Sequence, residues 1–420
     1  MLRAASLFAA IACLAGTLTV PAEAKVTVSI SCSSLGIEME LCRTGAQAWA
    51  KKTGNEVNLV STPADANERL GLYQSLLAAH STDVDIFQID AVWPGILAND
   101  FLDLNQFIKP DDQDDYSPSL IQNDTVNGKL IALPWFVDTG LLYYRKDLLD
   151  KYHRKVPQTW AELEETAKAV TAGEGSGMQG YVWQGRAYEG LTCNALEWIA
   201  SSGGGTIIGK DGQVTVSNAQ AAAAIDRARG WIGTISPEGV LNYDEEGARG
   251  VFQSGKAVFM RNWPYAWALA NTGDSPVKDK VGEAPLPHGD GANSVGVLGG
   301  QSLAVSRYSK HPQEAVDLIL YLAGKDEEKR RWKKGAFNPT LKPLYEDPDL
   351  KNDPMVAVFS QVLNNVVARP STITGRRYNQ VSSDFVQAVH AALSGQGSGA
   401  DNLAKLNDTL TQLSRGGHWQ

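Results

Sequence analysis

From Lys25 onward the apolar positions switch between a period of two and a period near 3.6, and the switches recur in order. Val26–Ser31 alternates as a strand, and a helix is predicted from about Glu38 to Lys52. Glu56–Ser61 forms a second strand. Asp65 followed by Glu68 is a capping-box signature for a helix continuing to about His80. Asp85–Ile89 is a third strand, with Asp90 after it. Strands alternating with helices predict a mainly parallel sheet, and ligands collect outside the carboxyl ends of such strands. Glu38, Arg69 and Asp90 all fall on that rim. Taken singly, Glu38 suits a helix macrodipole, Arg69 a surface and Asp90 a helix cap. Together they predict a polar binding edge.

The stretch Ile131–Leu149 organises the rest. Two strand-like halves meet at Val137-Asp138-Thr139-Gly140, and Pro134 restricts the first half to an edge or a bend. Such a segment suits a chain crossing from one domain to another. Asp138 is then either a turn residue or a cleft residue, and the polar rim favours the cleft. A second α/β unit follows. Thr159–Glu162 is another capping box, opening a helix that fades at Gly173, and Tyr181–Gln184 is a strand. The loop 185–190 then carries Tyr188, which suits either a cleft or packing. The strand Ala257–Arg261 delivers Trp263, Tyr265 and Trp267. Trp267 is expected to pack in a corner, while Trp263 and Tyr265 offer a stacking face for a flat ligand with apolar patches.

Two nucleotide-binding motifs are decoys. Gly175-x-Gly177-x-x-Gly180 follows a helix and precedes a strand, the reverse of the dinucleotide fingerprint. Gly250–Ala257 resembles a phosphate loop, but a helix comes first and alanine replaces the magnesium-holding hydroxyl.

Length then sets the scale: 420 residues exceed one ordinary core and predict two domains. A net charge of -9 leaves no basic surplus to neutralise phosphates, which excludes nucleic acid as partner. The acidic runs Asp111–Asp115 and Asp244–Glu246 are expected to be solvated faces. Arg3, the apolar run Ala4–Val20 and Ala22-Glu23-Ala24 make residues 1–24 a signal peptide, so an exported soluble protein is expected. Cys32 and Cys42 can then close a short loop, leaving Cys193 free. The six histidines are scattered, and no metal or cofactor motif is present.

Several motifs in order resemble one family: Leu133-Pro134 through Asp138, Gly140 to Leu148, Val182 to Gly185 with Tyr188 to Leu191, Arg261 to Trp267, Ala284 to His288, and Arg369-Pro370. The mature chain resembles the extracellular solute-binding proteins of family 1, the sugar-binding components of ABC importers, in their trehalose/maltose-binding branch. That resemblance implies an α/β fold of two hinged lobes, the periplasmic binding protein fold of type II, with a ligand cleft between them. The first lobe would take 25–134 and 283–335, the second 135–282 and 336–420. Ligand contacts would fall on Glu38, Arg69, Asp90, Asp138, Trp263, Tyr265, Gly300, Gln301 and Arg369. Gly300 and Arg369 come from the resemblance alone. Gln301 stands where relatives carry a second stacking tryptophan, and Phe136 where they carry tyrosine.

The resemblance further implies a monomeric periplasmic receptor, without cofactor or catalytic residues, that captures an α-linked disaccharide by hinge closure. Trehalose comes first, maltose or sucrose next, and a membrane ABC permease would be its partner. The alternatives are a secreted glycosidase using two of the same carboxylates, or the same fold binding another polyol or sugar derivative. Against the glycosidase, neighbouring arginines are expected to keep the carboxylates ionised.

Overall fold

The computed structural model describes residues 25–109, 113–175 and 177–419. The expected signal peptide lies outside the described residues, as do the first two aspartates of the 111–115 run. The strands are β1 (Thr27–Ser33), β2 (Glu56–Thr62), β3 (Ile86–Asp90), β4 (Thr125–Val126), β5 (Lys129–Leu130), β6 (Leu133–Thr139), β7 (Leu141–Arg145), β8 (Gln179–Val182), β9 (Ala257–Asn262), β10 (Val281–Ala284), β11 (Gly296–Val305) and β12 (Val366–Val367).

Two sheets carry the two lobes. In the first, the order is β2-β1-β3-β11, with β12 and β6 also paired to β11. β1 pairs in parallel with β2 and β3, as the alternation of strand and helix predicts. β11 runs antiparallel to β3 and β6. The second sheet has the order β10-β7-β9-β8. β4 and β5 form a separate ribbon.

Local chemistry explains the boundaries. The helix Glu38–Thr53 carries Glu38 and Glu40 in its first turn and Lys51 and Lys52 in its last, matching its dipole, and ends on Gly54 at φ 82°. Asp65 caps the helix Ala66–Ala78 by accepting from the Glu68 amide. Thr159 and Glu162 close a full reciprocal capping box. Pro134 lies where the β6–β11 register shifts, so the missing amide proton falls at an irregularity. A disulfide joins Cys32 at the end of β1 to Cys42 in the first helix, and Cys193 is free and buried.

The chain crosses between lobes at Thr139-Gly140-Leu141, directly from β6 into β7. It returns along β11, whose Val297 packs in the core of the second lobe while Leu303 and Val305 pack in that of the first. The expected 282/283 boundary falls inside β10, which pairs with β7 of the second sheet, and Leu286 joins the second core. Residues beyond the expected 335/336 boundary, Phe337, Leu341, Leu344 and Leu350, pack in the first core. A change of period marks an element's edge but not which core it joins; sheet pairing and packing decide that. The second core is built around Trp160, Tyr181, Trp183, Trp198 and Trp231, several meeting edge to face.

Candidate functional site

All nine residues singled out above line one cavity between the lobes, of about 570 Å³ with its open mouth included. Tyr188 lines it too.

The first lobe supplies three buried charged groups. Glu38, the first residue of its helix, accepts from Gln88 Nε2 at 2.6 Å. Burial raises its pKa against the lowering pull of Arg69. Arg69 donates through Nη1 to the Pro63 carbonyl at 3.1 Å and lies 5.2 Å over the Trp93 ring, while its Nε has no partner. Asp90 closes β3. Its Oδ1 accepts from the Val92 amide at 3.2 Å and from Arg369 Nη2 at 3.0 Å, and its Oδ2 from Gln301 Nε2 at 3.3 Å.

Asp138 stands on β6 just before the crossing, 8% exposed, with Oδ1 unpartnered. Burial, reinforced by the charges of Glu38 and Asp90, pushes its carboxyl well above the usual range, with Arg261 opposing. Opposite it lie Gly299 and Gly300 of β11. Gly300 has φ 130°, and a Cβ there would sit 2.4 Å from the Phe136 carbonyl oxygen, so the close strand approach requires glycine. A Cβ on Gly299 would come within 3.0 Å of the Trp263 ring.

On the second lobe, the Trp263 indole donates to Glu245 Oε1 at 3.3 Å and rests 4.0 Å from the Arg261 guanidinium. Arg261 is itself fixed by two bonds to the fully buried Glu197, at 2.8 and 2.5 Å. The indole is therefore held rigidly at the cavity wall. Tyr265 is more committed than its pairing with Trp263 suggested. Its hydroxyl donates to Glu246 at 2.7 Å, its ring packs against Gly36, and it is 1% exposed, so it forms wall instead of an open face. Arg369 spans the cleft, donating to Asp90 of the first lobe and, at 2.8 Å, to Glu189 of the second. Its Nε has no partner.

Sequence reasoning missed Glu189, Glu245 and Cys193 as lining residues. Glu189 follows Tyr188 at the N-terminus of the helix Glu189–Ala200, so the strand-end rule that flagged Tyr188 could have found it. It accepts from Arg369, Tyr378 and Ser382. Glu245 corrects the expectation of a solvated face at 244–246. It is buried and accepts from the Tyr188 hydroxyl at 2.5 Å; Asp244 caps the next helix, and Glu246 pairs with Arg249 and Tyr265. Burial raises the Glu245 pKa. The expectation that arginines keep the carboxylates ionised is also corrected, because burial outweighs them at Glu38 and Asp138. Among the described residues no cluster of potential metal ligands occurs, and no helix is long and apolar enough to cross a membrane.

A model of the bacterial extracellular solute-binding protein family matches residues 43–329. The chain belongs to that family. This solute-binding protein is 46% identical over 399 residues to a "Probable ABC transporter-binding protein" of Deinococcus radiodurans, covering 94% of this chain and 95% of the relative. It is similar to the maltose-bound MalE3 of T. maritima, with 38% identity, TM-score 0.87, and coverage of 92% of this chain and 100% of that one. An ABC transporter solute-binding protein of Agrobacterium vitis with bound D-mannitol, at 21% identity and TM-score 0.78 over 93% of this chain and 98% of that one, shares its fold. The architecture of this solute-binding protein is the two-lobed α/β arrangement of these structures.

Proposed function

We propose that this solute-binding protein is the receptor of an ABC sugar importer, capturing a neutral α-linked disaccharide in the periplasm and delivering it to a membrane permease. Maltose and trehalose are the first candidates, sucrose the next. The observation that carries this reading is the set of unmatched polar atoms on the cavity's lining residues. Asp138 Oδ1 and Gln301 Oε1 can accept, while Arg69 Nε and Arg369 Nε can donate, and none has a protein partner. Leaving such a buried group unmet costs about 1–3 kcal/mol. A hydroxyl both donates and accepts, so a polyhydroxylated ligand answers both kinds of group at once. Trp263 adds a rigid surface for an apolar sugar face.

The lining narrows the class. It carries five carboxyl groups (Glu38, Asp90, Asp138, Glu189, Glu245) beside two guanidinium groups (Arg69, Arg369), hydrogen-bonding partners suited to the hydroxyls of a sugar. The maltose held by the T. maritima relative supports an α-glucoside. Gln301 and Phe136 leave this site with Trp263 as the indole of its lining and reshape the place of one sugar ring.

Raised pKa values at Glu38 and Glu245 remove the charge argument against a glycosidase, so family membership carries the case for a receptor. Calorimetry with maltose, trehalose and sucrose tests the reading: one of them should bind stoichiometrically and raise the melting temperature. Binding of none, or release of glucose from any, overturns it.

A further inference from the structure

Two contacts join the lobes at one place on the rim of the cavity, through Asp65, Asn67 and Arg186, which do not line it. Arg186, in the loop after β8, pairs with Asp65 at the start of the helix Ala66–Ala78. Asn67 Oδ1 accepts the amide of Glu189 at 2.9 Å. Ala64, Ala66, Tyr188 and Glu189, interleaved with these residues, do line the cavity.

Each contact is built from helix-end chemistry. Asp65 is the cap of its own helix through Oδ1, accepting from the Glu68 amide, and offers Oδ2 to Arg186. On the other lobe Asp244 caps the helix Glu245–Gln253 and lies 3.6 Å from Arg186. One guanidinium thus bridges two capping aspartates, one per lobe. Arg186 also stacks 4.6 Å over Tyr188, whose hydroxyl is tied to Glu245. Asp244 and Tyr188 belong to Arg186's own lobe, so the guanidinium is pre-positioned before the lobes meet. The helix Glu189–Ala200 has no side-chain cap of its own at Tyr188. Its first amide, one of the orphan donors of any helix start, is capped across the cleft by Asn67. The Asp65 side chain is 12% exposed and that of Arg186 37%, so the pair is half sheltered and solvent screens it in part.

We propose that Asp65, Asn67 and Arg186 form a clasp that favours closure of the lobes whatever sugar is held, setting affinity without touching the ligand. The proposal rests on the solute-binding reading of the cavity. Its signature follows from population arithmetic: the apparent Kd is the intrinsic Kd divided by the closed fraction. Loosening the clasp therefore weakens every ligand by the same factor, whereas a lining substitution changes the ranking of ligands.

The test uses Arg186→Gln, Asp65→Asn, which retains a capping side chain, and the double variant. Titrations with maltose, trehalose and sucrose should show each single variant weakened about 5- to 10-fold, equally for every sugar that binds, with the double variant no worse than either single. A factor that differs between sugars, additive effects, or unchanged Kd overturns the clasp. Should the wild type bind none of these sugars, the function proposed above fails, and small-angle scattering then decides the clasp alone. A larger radius of gyration in Arg186→Gln than in wild type supports it, and an equal radius overturns it.

Discussion

Trp263 is pinned by Glu245 at its ring nitrogen and by Arg261 at 4.0 Å, so its indole is ordered before any ligand arrives. Pre-ordered aromatic anchors dominate binding energies, and Trp263→Ala should weaken sugar binding by about 2–4 kcal/mol in calorimetry. Asp138 behaves differently. A carboxylate whose folded pKa is raised contributes stability below its unfolded value near 3.8, and loses it as pH rises through the folded value. At neutral pH it is therefore a burden on the fold. Asp138→Asn should lower sugar affinity by about 0.5–1.5 kcal/mol, the net worth of one hydrogen bond, yet leave the melting temperature of the sugar-free protein equal or higher. A drop in that temperature would make Asp138 a structural turn residue. Both residues were legible in the sequence because each follows or ends a strand. Glu245 was not, since an acidic triplet looks the same whether it faces water or a cavity.

At the scale of elements, the closeness of β6 and β11 shapes the floor of the cavity. Gly300→Ala would place a Cβ against the Phe136 carbonyl in a left-handed backbone, and should cost about 1–3 kcal/mol in denaturant unfolding. Strand β10 of the second sheet carries Glu283, whose Oε2 is buried without a partner. Burial, with the charge of Asp353 adding to it, raises its pKa to about 8 from 4.5. Its folded pKa exceeds the unfolded one, so its contribution is complete below pH 4.5 and disappears as pH climbs to 8. Across that window wild-type stability should fall by up to about 1.4 kcal/mol per pH unit from this group, and Glu283→Gln should flatten the slope in pH-resolved unfolding. Helix caps at Asp65 and Thr159 were readable from composition because capping is a contact within one turn. The lobe to which β10 belongs was not, because its pairing with β7 joins residues far apart in the chain.

At the scale of the molecule, contacts from both lobes meet on a shared cavity, and Arg369 ties Asp90 to Glu189 across it. Sugar binding should therefore draw the lobes together, read as a smaller radius of gyration in scattering with the preferred disaccharide.

Length and the order of periods along the chain determined a two-domain α/β protein, its principal strands and helices, the rim on which Glu38, Arg69 and Asp90 stand and the crossing that carries Asp138, because those follow from chain size, local alternation and chain direction. Only the tertiary structure decided which core each late segment joins, how deeply each carboxylate is buried, and that Arg186 and Asn67 reach across to the opposite lobe. Pairing, desolvation and trans-lobe capping depend on neighbours distant in sequence, and no local pattern encodes them.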